Sequence, residues 1–109
     1  MFKIVDKRTF THEVKVFTPT DGGFSEDLLK ATFNYVPTDK VASFDLSRSD
    51  DTTSFLREIV VRFSDLVDEQ DQPIACTDEL RERLLFVPNV RQALITHYFE
   101  TVNRIAEGN

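Results

Sequence analysis

Tryptophan is absent from this chain of 109 residues, and cysteine and methionine each occur once. A single cysteine cannot form an internal disulfide, so we expect a protein of a reducing compartment. The longest uninterrupted apolar run is Leu84–Val87, far shorter than the roughly 20 residues that span a bilayer. The first residues contain no apolar stretch followed by a small-residue cleavage site, so we also expect no secretory signal.

Known catalytic and metal-binding motifs are missing as well. There is neither a dinucleotide-binding glycine motif nor a Walker A motif. Cys76, His12 and His97 would form a nucleophile and base only if the fold brought them together, and they are too few for a closed zinc site. Cys76 fits a small apolar residue, His12 a sheet-surface residue and His97 a packed or rim residue of a helix. We therefore expect no catalytic residue, no cofactor and no resident metal.

Basic residues are outnumbered by acidic ones, 13 to 19, and the formal net charge is -6. Residues 1–37 are balanced, with five basic and five acidic groups, whereas residues 38–109 hold eight basic and fourteen acidic groups. Because phosphate would be repelled by the second part, the composition argues against nucleic acid and against anionic membrane surfaces as partners.

The acidic residues are densest in one predicted turn, where Asp65, Asp68, Glu69 and Asp71 lie close in sequence. A hard cation such as calcium would suit carboxylates, but the glycine and the final glutamate of an EF-hand loop are missing. A solvated acidic loop is the favoured interpretation. An acidic mimic of DNA is a further use of such charge, but interleaved apolar residues and arginines dilute it.

Phenylalanine, by contrast, is abundant, with 10 residues that can supply much of a small core. Hydrophobic residues make up 40% and charged residues 29%, which excludes the disordered class. A chain of this length forms one domain, placed at residues 1–109, with a β-rich part at 1–37 and a helical part at 38–109.

Apolar residues alternate with polar ones in the first third, which predicts antiparallel strands. The first run places Phe10, Val14 and Val16 on one side, and the second places Leu29, Ala31, Phe33 and Tyr35 on one face. Between them, Pro19–Gly23 is interpreted as a hairpin loop longer than two residues. Phe2 and Ile4 alternate in the same way and predict a third short strand.

After these strands the apolar period becomes helical. Thr38 and Asp39 are predicted to cap a short helix. The next helix is predicted to start within Ser47–Thr53 and to have five apolar residues on one side, Phe55, Leu56, Ile59, Val60 and Phe63. Glu58 and Arg62 are spaced for an ion pair on its outer side.

Two further helices are predicted beyond an irregular turn at residues 64–76, which is interpreted as a small hairpin around Gln70 and Asp71. Thr77 is the predicted cap of the first helix, which ends before Pro88. Pro88 opens the last helix, which runs to about Ala106. The predicted fold class is therefore α+β, with an N-terminal antiparallel β-hairpin or small sheet packed against three or four C-terminal α-helices.

The last helix carries an apolar stripe wider than one core-facing side requires, formed by Val90, Leu94, Ile95, Tyr98, Phe99, Val102 and Ile105. Two explanations are open at this point. Neighbouring elements pack on the stripe from two directions, or part of the stripe is a docking surface. For the second explanation, the candidate partner-binding residues are Ile95, Tyr98, Phe99 and Val102.

Residues 55–101 as a whole resemble the tail assembly chaperones of long-tailed phages. The resemblance lies in the segments Phe55–Glu69, Pro73-Ile74, Thr77–Leu80, Leu84-Leu85, Pro88, Ala93-Leu94 and Tyr98–Glu100. The shared pattern is an aromatic after a helix, an acidic turn ending in proline, a capped helix, and a proline opening a last helix with an aromatic pair. Phe63 stands where the family often has tryptophan, and Asp71 stands where glycine is usual. Aspartate tolerates the left-handed backbone conformation better than most residues.

This resemblance implies a non-enzymatic assembly factor of the host cytoplasm that is absent from the mature virion. It would bind the tape-measure protein, keep that chain soluble and help tail tube proteins assemble around it. It implies no catalytic residue and no cofactor, and it is compatible with weak self-association of copies along one client. A longer frameshifted form is common in the family.

Two other classes stay as alternatives. A tail completion or head-tail joining protein would be a structural component retained in the virion. A small enzyme or metal protein would use Cys76, His97 or the acidic turn.

Overall fold

The computed structural model describes the backbone of residues 1–106 and the side chains of residues 1–104. The elements are β1 (Thr9–Thr20), β2 (Gly23–Asn34), α1 (Thr38–Ala42), α2 (Ser49–Ile59), β3 (Val60–Ser64), β4 (Leu66–Val67), β5 (Pro73–Ile74), α3 (Asp78–Leu85) and α4 (Pro88–Ala106). The first three strands form one antiparallel sheet in the order β1-β2-β3, and β4 pairs with β5. The predicted α+β class is confirmed.

The hairpin of β1 and β2 has twelve residues in each strand and an unbroken register. Its loop is shorter than predicted, because Thr20 pairs with Gly23 and only Asp21 and Gly22 lie between them. Gly22 has φ of 81°, which glycine adopts at low cost and which tight hairpin turns require. Pro19 is part of β1, where an edge strand tolerates the missing N–H.

The third strand of the sheet does not come from the N-terminus. Phe2 and Ile4 are exposed and lie outside any strand, so that expectation is wrong. The third strand is β3, which begins directly after α2 because Val60 takes an extended conformation and ends the helix. Val60 and the next residue, Val61, are β-branched, which favours a strand.

The early end of α2 also removes the predicted ion pair. Glu58 lies in α2 and Arg62 in β3, so the helical spacing that would join them does not exist. Instead, Arg57 bonds to Glu82 of α3, and this pair ties the two helices together at their exposed sides.

The sequence predicts some features of the helix starts correctly and others incorrectly. The N-cap of α1 is Pro37, whose side chain makes no capping bond, so the predicted cap at Thr38 and Asp39 is wrong. The predicted start of α2 within Ser47–Thr53 is confirmed, although its N-cap, Arg48, makes no side-chain capping bond. In α3, by contrast, Thr77 Oγ1 accepts the backbone N–H of Leu80, as predicted. The predicted start of α4 at Pro88 is also confirmed.

The small hairpin of β4 and β5 contains the acidic turn. Asp71 has φ of 61°, so an aspartate adopts the left-handed conformation at the position where glycine would be the easiest choice. Asp68 stabilises the turn, because its Oδ1 accepts the backbone N–H groups of Gln70 and Gln72 at 2.9 and 3.0 Å.

The core lies between the inner face of the sheet, α2 and α4. Its largest fully buried side chains are aromatic: Tyr98, Phe33, Phe55 and Phe63. The Tyr98 ring contacts Phe33 and Phe55 at centroid distances of 5.9 and 5.8 Å, so it joins the sheet to α2. Its hydroxyl oxygen accepts the backbone N–H of Val36 at 3.0 Å, which holds the chain just after β2. Burial raises the pKa of the Tyr98 hydroxyl.

Tyr98→Phe is expected to lower the free energy of unfolding by about 1–3 kcal/mol, because the buried N–H of Val36 would lose its acceptor. Urea denaturation measures the change. The matched control is Tyr35→Phe at an exposed ring, expected to change stability by less than about 0.5 kcal/mol. Equal stability of the two variants would contradict a structural role for the Tyr98 hydroxyl.

Candidate partner-binding site

The stripe predicted on the last helix lies mostly in the core. Tyr98, one of the predicted partner-binding residues, is 1% exposed, so it is a core residue that offers almost no surface to a partner in this conformation. Ile95, Phe99 and Val102 are half-buried and pack against the core. The Phe99 ring stacks on Phe55 of α2, with centroids 5.6 Å apart and an interplanar angle of 9°. The stripe is wide because the sheet packs on one side of α4 and α2 on another.

The accessible parts of this stripe line two shallow clefts. Phe99 and Val102 border a cleft of about 310 Å³ between α4 and α1. Ile95 borders a cleft of about 390 Å³ beside Phe86. The prediction for Ile105 falls on a side chain outside those that the structure describes. Neither cleft offers a large apolar area to a partner.

Phe99→Asp is expected to destabilise the fold by more than about 3 kcal/mol, because it removes a ring packed on Phe55 and places a carboxylate there. The matched control is Phe86→Asp, at a ring that is 56% exposed, with an expected loss below about 1 kcal/mol. Thermal and urea unfolding separate the two variants. A Phe99→Asp protein as stable as the wild type would show that the ring is not needed in the core, and Phe99 would again be a candidate docking residue.

A larger apolar surface lies on the outer face of the hairpin, which points away from α4. Phe17, Phe24 and Leu28 are 53%, 73% and 59% exposed. Phe17 is paired with Glu26, so Phe24 and Leu28 are its diagonal neighbours on the adjacent strand, within reach of an aromatic side chain. We call these three residues the hairpin patch.

Strand register explains why the hairpin patch stays open. Its side chains have the parity opposite to buried Val14 and Ala31, so they point away from the face on which α4 packs. β3 pairs only with residues Lys30–Phe33 of β2, so the half of the hairpin nearer the turn also has no third strand beside it. The sequence analysis did not predict the patch, because it considered only the apolar residues whose position in the strand directs them to the core. The signal was present, since Phe17 follows buried Val16 and Leu28 precedes half-buried Leu29, each with opposite parity to its inward-facing neighbour.

A groove runs between β1 and α4, with a volume of about 580 Å³. Asn89 Nδ2 closes one end, because it donates to the carbonyl oxygen of Phe17 and to Thr18 Oγ1, both at 3.2 Å. Near the other end, His12 Nδ1 and His97 Nε2 lie 2.8 Å apart. The first contact joins the start of α4 to the end of β1, and the second joins a later turn of α4 to an earlier residue of β1. α4 therefore runs antiparallel to β1.

The two imidazoles form a contact that the sequence analysis did not predict. His12 is not a sheet-surface residue, because it shares the inner face of β1 with Val14 and is half-buried against His97. A hydrogen bond between two imidazole nitrogens requires one of them to lack a proton. Burial lowers the pKa of His97, and the charge of His12 lowers it further, opposed by Glu100 one turn away.

The lowered pKa of His97 predicts acid sensitivity. Since its folded-state pKa lies below the unfolded value of 6.5, the folded protein binds fewer protons, and the free energy of unfolding falls as the pH decreases through 6.5. Urea denaturation between about pH 7.5 and pH 5 measures this slope, a range above the titration of ordinary carboxylates.

His97→Gln is expected to flatten the slope, because the amide does not titrate and still reaches His12. His12→Gln serves as a comparison and is expected to keep much of the slope, because burial of His97, the larger cause, remains. An unchanged slope in His97→Gln would show that another group is responsible.

The remaining sequence candidates do not come together. Cys76 Sγ accepts the backbone N–H of Phe63 at 3.4 Å and lies against the core, whereas His12 and His97 contact each other. In the acidic turn, the carboxylate of Asp65 accepts from Lys30 Nζ at 3.3 Å. Among the described residues, no group of three or more histidine, cysteine, aspartate or glutamate side chains is placed to hold a metal ion.

Two further findings bear on the class of protein. Within residues 1–106, no helix combines the length and the apolar character needed to cross a membrane. Comparisons of the chain with protein-family models, with curated proteins and with solved structures find no match.

Proposed function

We propose that this chain is a non-enzymatic phage tail assembly chaperone that binds the tape-measure protein and assists assembly of the tail tube in the host cytoplasm. The observation that carries the proposal is the hairpin patch, an apolar surface on the outer face of the β1–β2 hairpin. The sequence resemblance supplies the identity of the client. Absence from the finished virion is part of the proposal.

The resemblance rests on features that occupy one continuous part of the fold. Phe63, the aromatic after the helix, is buried in β3. The acidic turn lies between β4 and β5 and ends at Pro73, and Asp71 there has a left-handed conformation. Thr77 caps α3 and Pro88 opens α4. These features support the proposal through local structure and involve no catalytic group.

The hairpin patch suits reversible binding of a partly apolar chain. Complete burial of one such side chain contributes about 1.5–3 kcal/mol, from which the entropy of association must be subtracted. Three side chains therefore favour weak binding by each copy, on the order of 0.1–1 mM or weaker. Many copies along one long client add strength by multivalency, and each copy still dissociates easily.

Charge and shape support the same role. A net charge of -6 keeps unloaded copies apart in spite of their exposed rings. The molecule measures 46 × 30 × 29 Å, and half of the hairpin carries no third strand. On the outer face of the hairpin, Lys15 pairs with Glu26 at 3.7 Å, so the hairpin patch carries little net charge of its own.

Co-expression with the adjacent tape-measure protein tests the proposal. The wild-type chain is expected to raise the soluble fraction of that protein, because the patch covers its apolar segments. The triple variant Phe17→Ser, Phe24→Ser and Leu28→Ser is expected to lose most of this effect and to keep its fold, since all three side chains are exposed.

The matched control is the double variant Val67→Ser and Ile74→Ser, which removes exposed apolar side chains of the β4–β5 hairpin and is expected to act like wild type. No gain in solubility with the wild-type chain would refute the proposed client. Mass spectrometry of purified virions gives a second readout, because retention of the chain in particles would favour a tail completion or head-tail joining protein instead.

A further inference from the structure

The outer edge of β1 carries backbone groups that no other strand of the described chain uses. The sheet order is β1-β2-β3, which leaves β1 at the edge. The backbone N–H of Tyr35 donates to the carbonyl of Arg8, so even-numbered residues of β1 bond toward β2. The backbone N–H and C=O groups of the odd-numbered residues point outward from the sheet edge, as the bond from Asn89 to the carbonyl of Phe17 also indicates. Glu13 and Lys15 therefore direct their N–H and C=O groups away from the sheet.

Space for another strand lies beside this edge. The groove of about 580 Å³ is bordered by Glu13, Lys15 and Phe17 on one side and by α4 on the other. The wall formed by α4 includes Ala93 and Thr96, whose small side chains leave room for a backbone. Because β1 keeps an unbroken register with β2 over this length, its outer edge can template an added strand.

The charges of the groove indicate which kind of segment fits. Glu13 lies on the strand wall and Glu100 on the helix wall, and neither forms an ion pair within the described residues. Lys15, the one basic residue of the lining, is paired with Glu26 at 3.7 Å. The two free carboxylates therefore favour a positively charged occupant.

We propose that an extended, lysine- or arginine-containing segment of a partner protein binds in this groove and adds as a strand along β1 at residues 11–17. Main-chain hydrogen bonds to Glu13 and Lys15 supply the pairing. The carboxylates of Glu13 and Glu100 select basic side chains. Asn89 limits the register, because its amide already occupies the carbonyl of Phe17.

A second copy of this chain fits the edge less well. Antiparallel pairing of two β1 strands would place both α4 helices on the same face of one continuous sheet. Each α4 runs along its own β1, as the contacts of Asn89 with Phe17 and of His97 with His12 define. Both helices would then crowd the junction between the two β1 strands, which a segment without a helix of its own avoids.

This inference is independent of the phage proposal, since it depends on the backbone edge at Glu13 and Lys15, although Phe17 borders both the groove and the hairpin patch. Its test uses amide hydrogen exchange of the wild-type chain with a synthetic peptide of about seven residues that has two adjacent lysines among threonines, so that each face of the added strand carries a basic side chain. This length spans about 23 Å when extended. The amides of Glu13 and Lys15 are expected to exchange about tenfold more slowly at saturating peptide. The amides of Glu26 and Leu28, on the unpaired edge of β2, serve as the internal control and are expected to be unchanged.

Two matched reagents test the role of charge. A peptide with glutamate in place of lysine is expected not to protect the edge. The double variant Glu13→Gln and Glu100→Gln is expected to bind the lysine peptide about fivefold more weakly, as the loss of two exposed ion pairs predicts.

Three outcomes would overturn the inference. Peptide binding that leaves the amides of Glu13 and Lys15 unprotected would show that the peptide does not add as a strand. Protection that arises without peptide and grows with protein concentration would assign the edge to a second copy. No protection at millimolar peptide would show that α4 closes the edge.

Discussion

The whole architecture depends on one face of a long hairpin being buried beneath α4. The unbroken pairing of β1 with β2 fixes which side chains face inward, and a shift of one residue would exchange the two faces. Val14, Ala31 and Phe33 are thereby placed in the core, where Tyr98 and Leu94 of α4 meet them. The same register directs Phe17, Phe24 and Leu28 to solvent. The core and the exposed apolar face are thus two results of a single constraint.

Much of the fold was predictable because its signals are local. Thr77 and Pro88 mark helix starts by side-chain and backbone chemistry that acts within one turn. The end of α2 was not predictable in this way, since Phe55, Ile59 and Phe63 fit a helical period although Phe63 belongs to a strand. Pairing with β2 makes residues 60–64 a strand instead of a helix, and the paired residues of β2 are distant in sequence.

The candidate surfaces were predictable only in part, for a related reason. The apolar stripe of α4 was visible in the sequence, but its burial depends on where α2 and the sheet pack, as the stack of Phe99 on Phe55 illustrates. The bond between His12 and His97 joins residues separated by 85 positions, so no local sequence pattern predicts it. The hairpin patch shows the opposite case, because alternation encodes it directly.

The partial third strand has a mechanical consequence. The base of the hairpin is held by β3 and by α4, so its ladder opens only when the core melts. Toward the turn at Asp21 and Gly22, each added pair has solvent on both sides, and fraying there costs little. The base of the hairpin is thus held in place, whereas its tip, the part next to the turn at Asp21 and Gly22, is pliable. The tip can twist to follow an irregular surface, and that adjustment leaves the interior packing untouched.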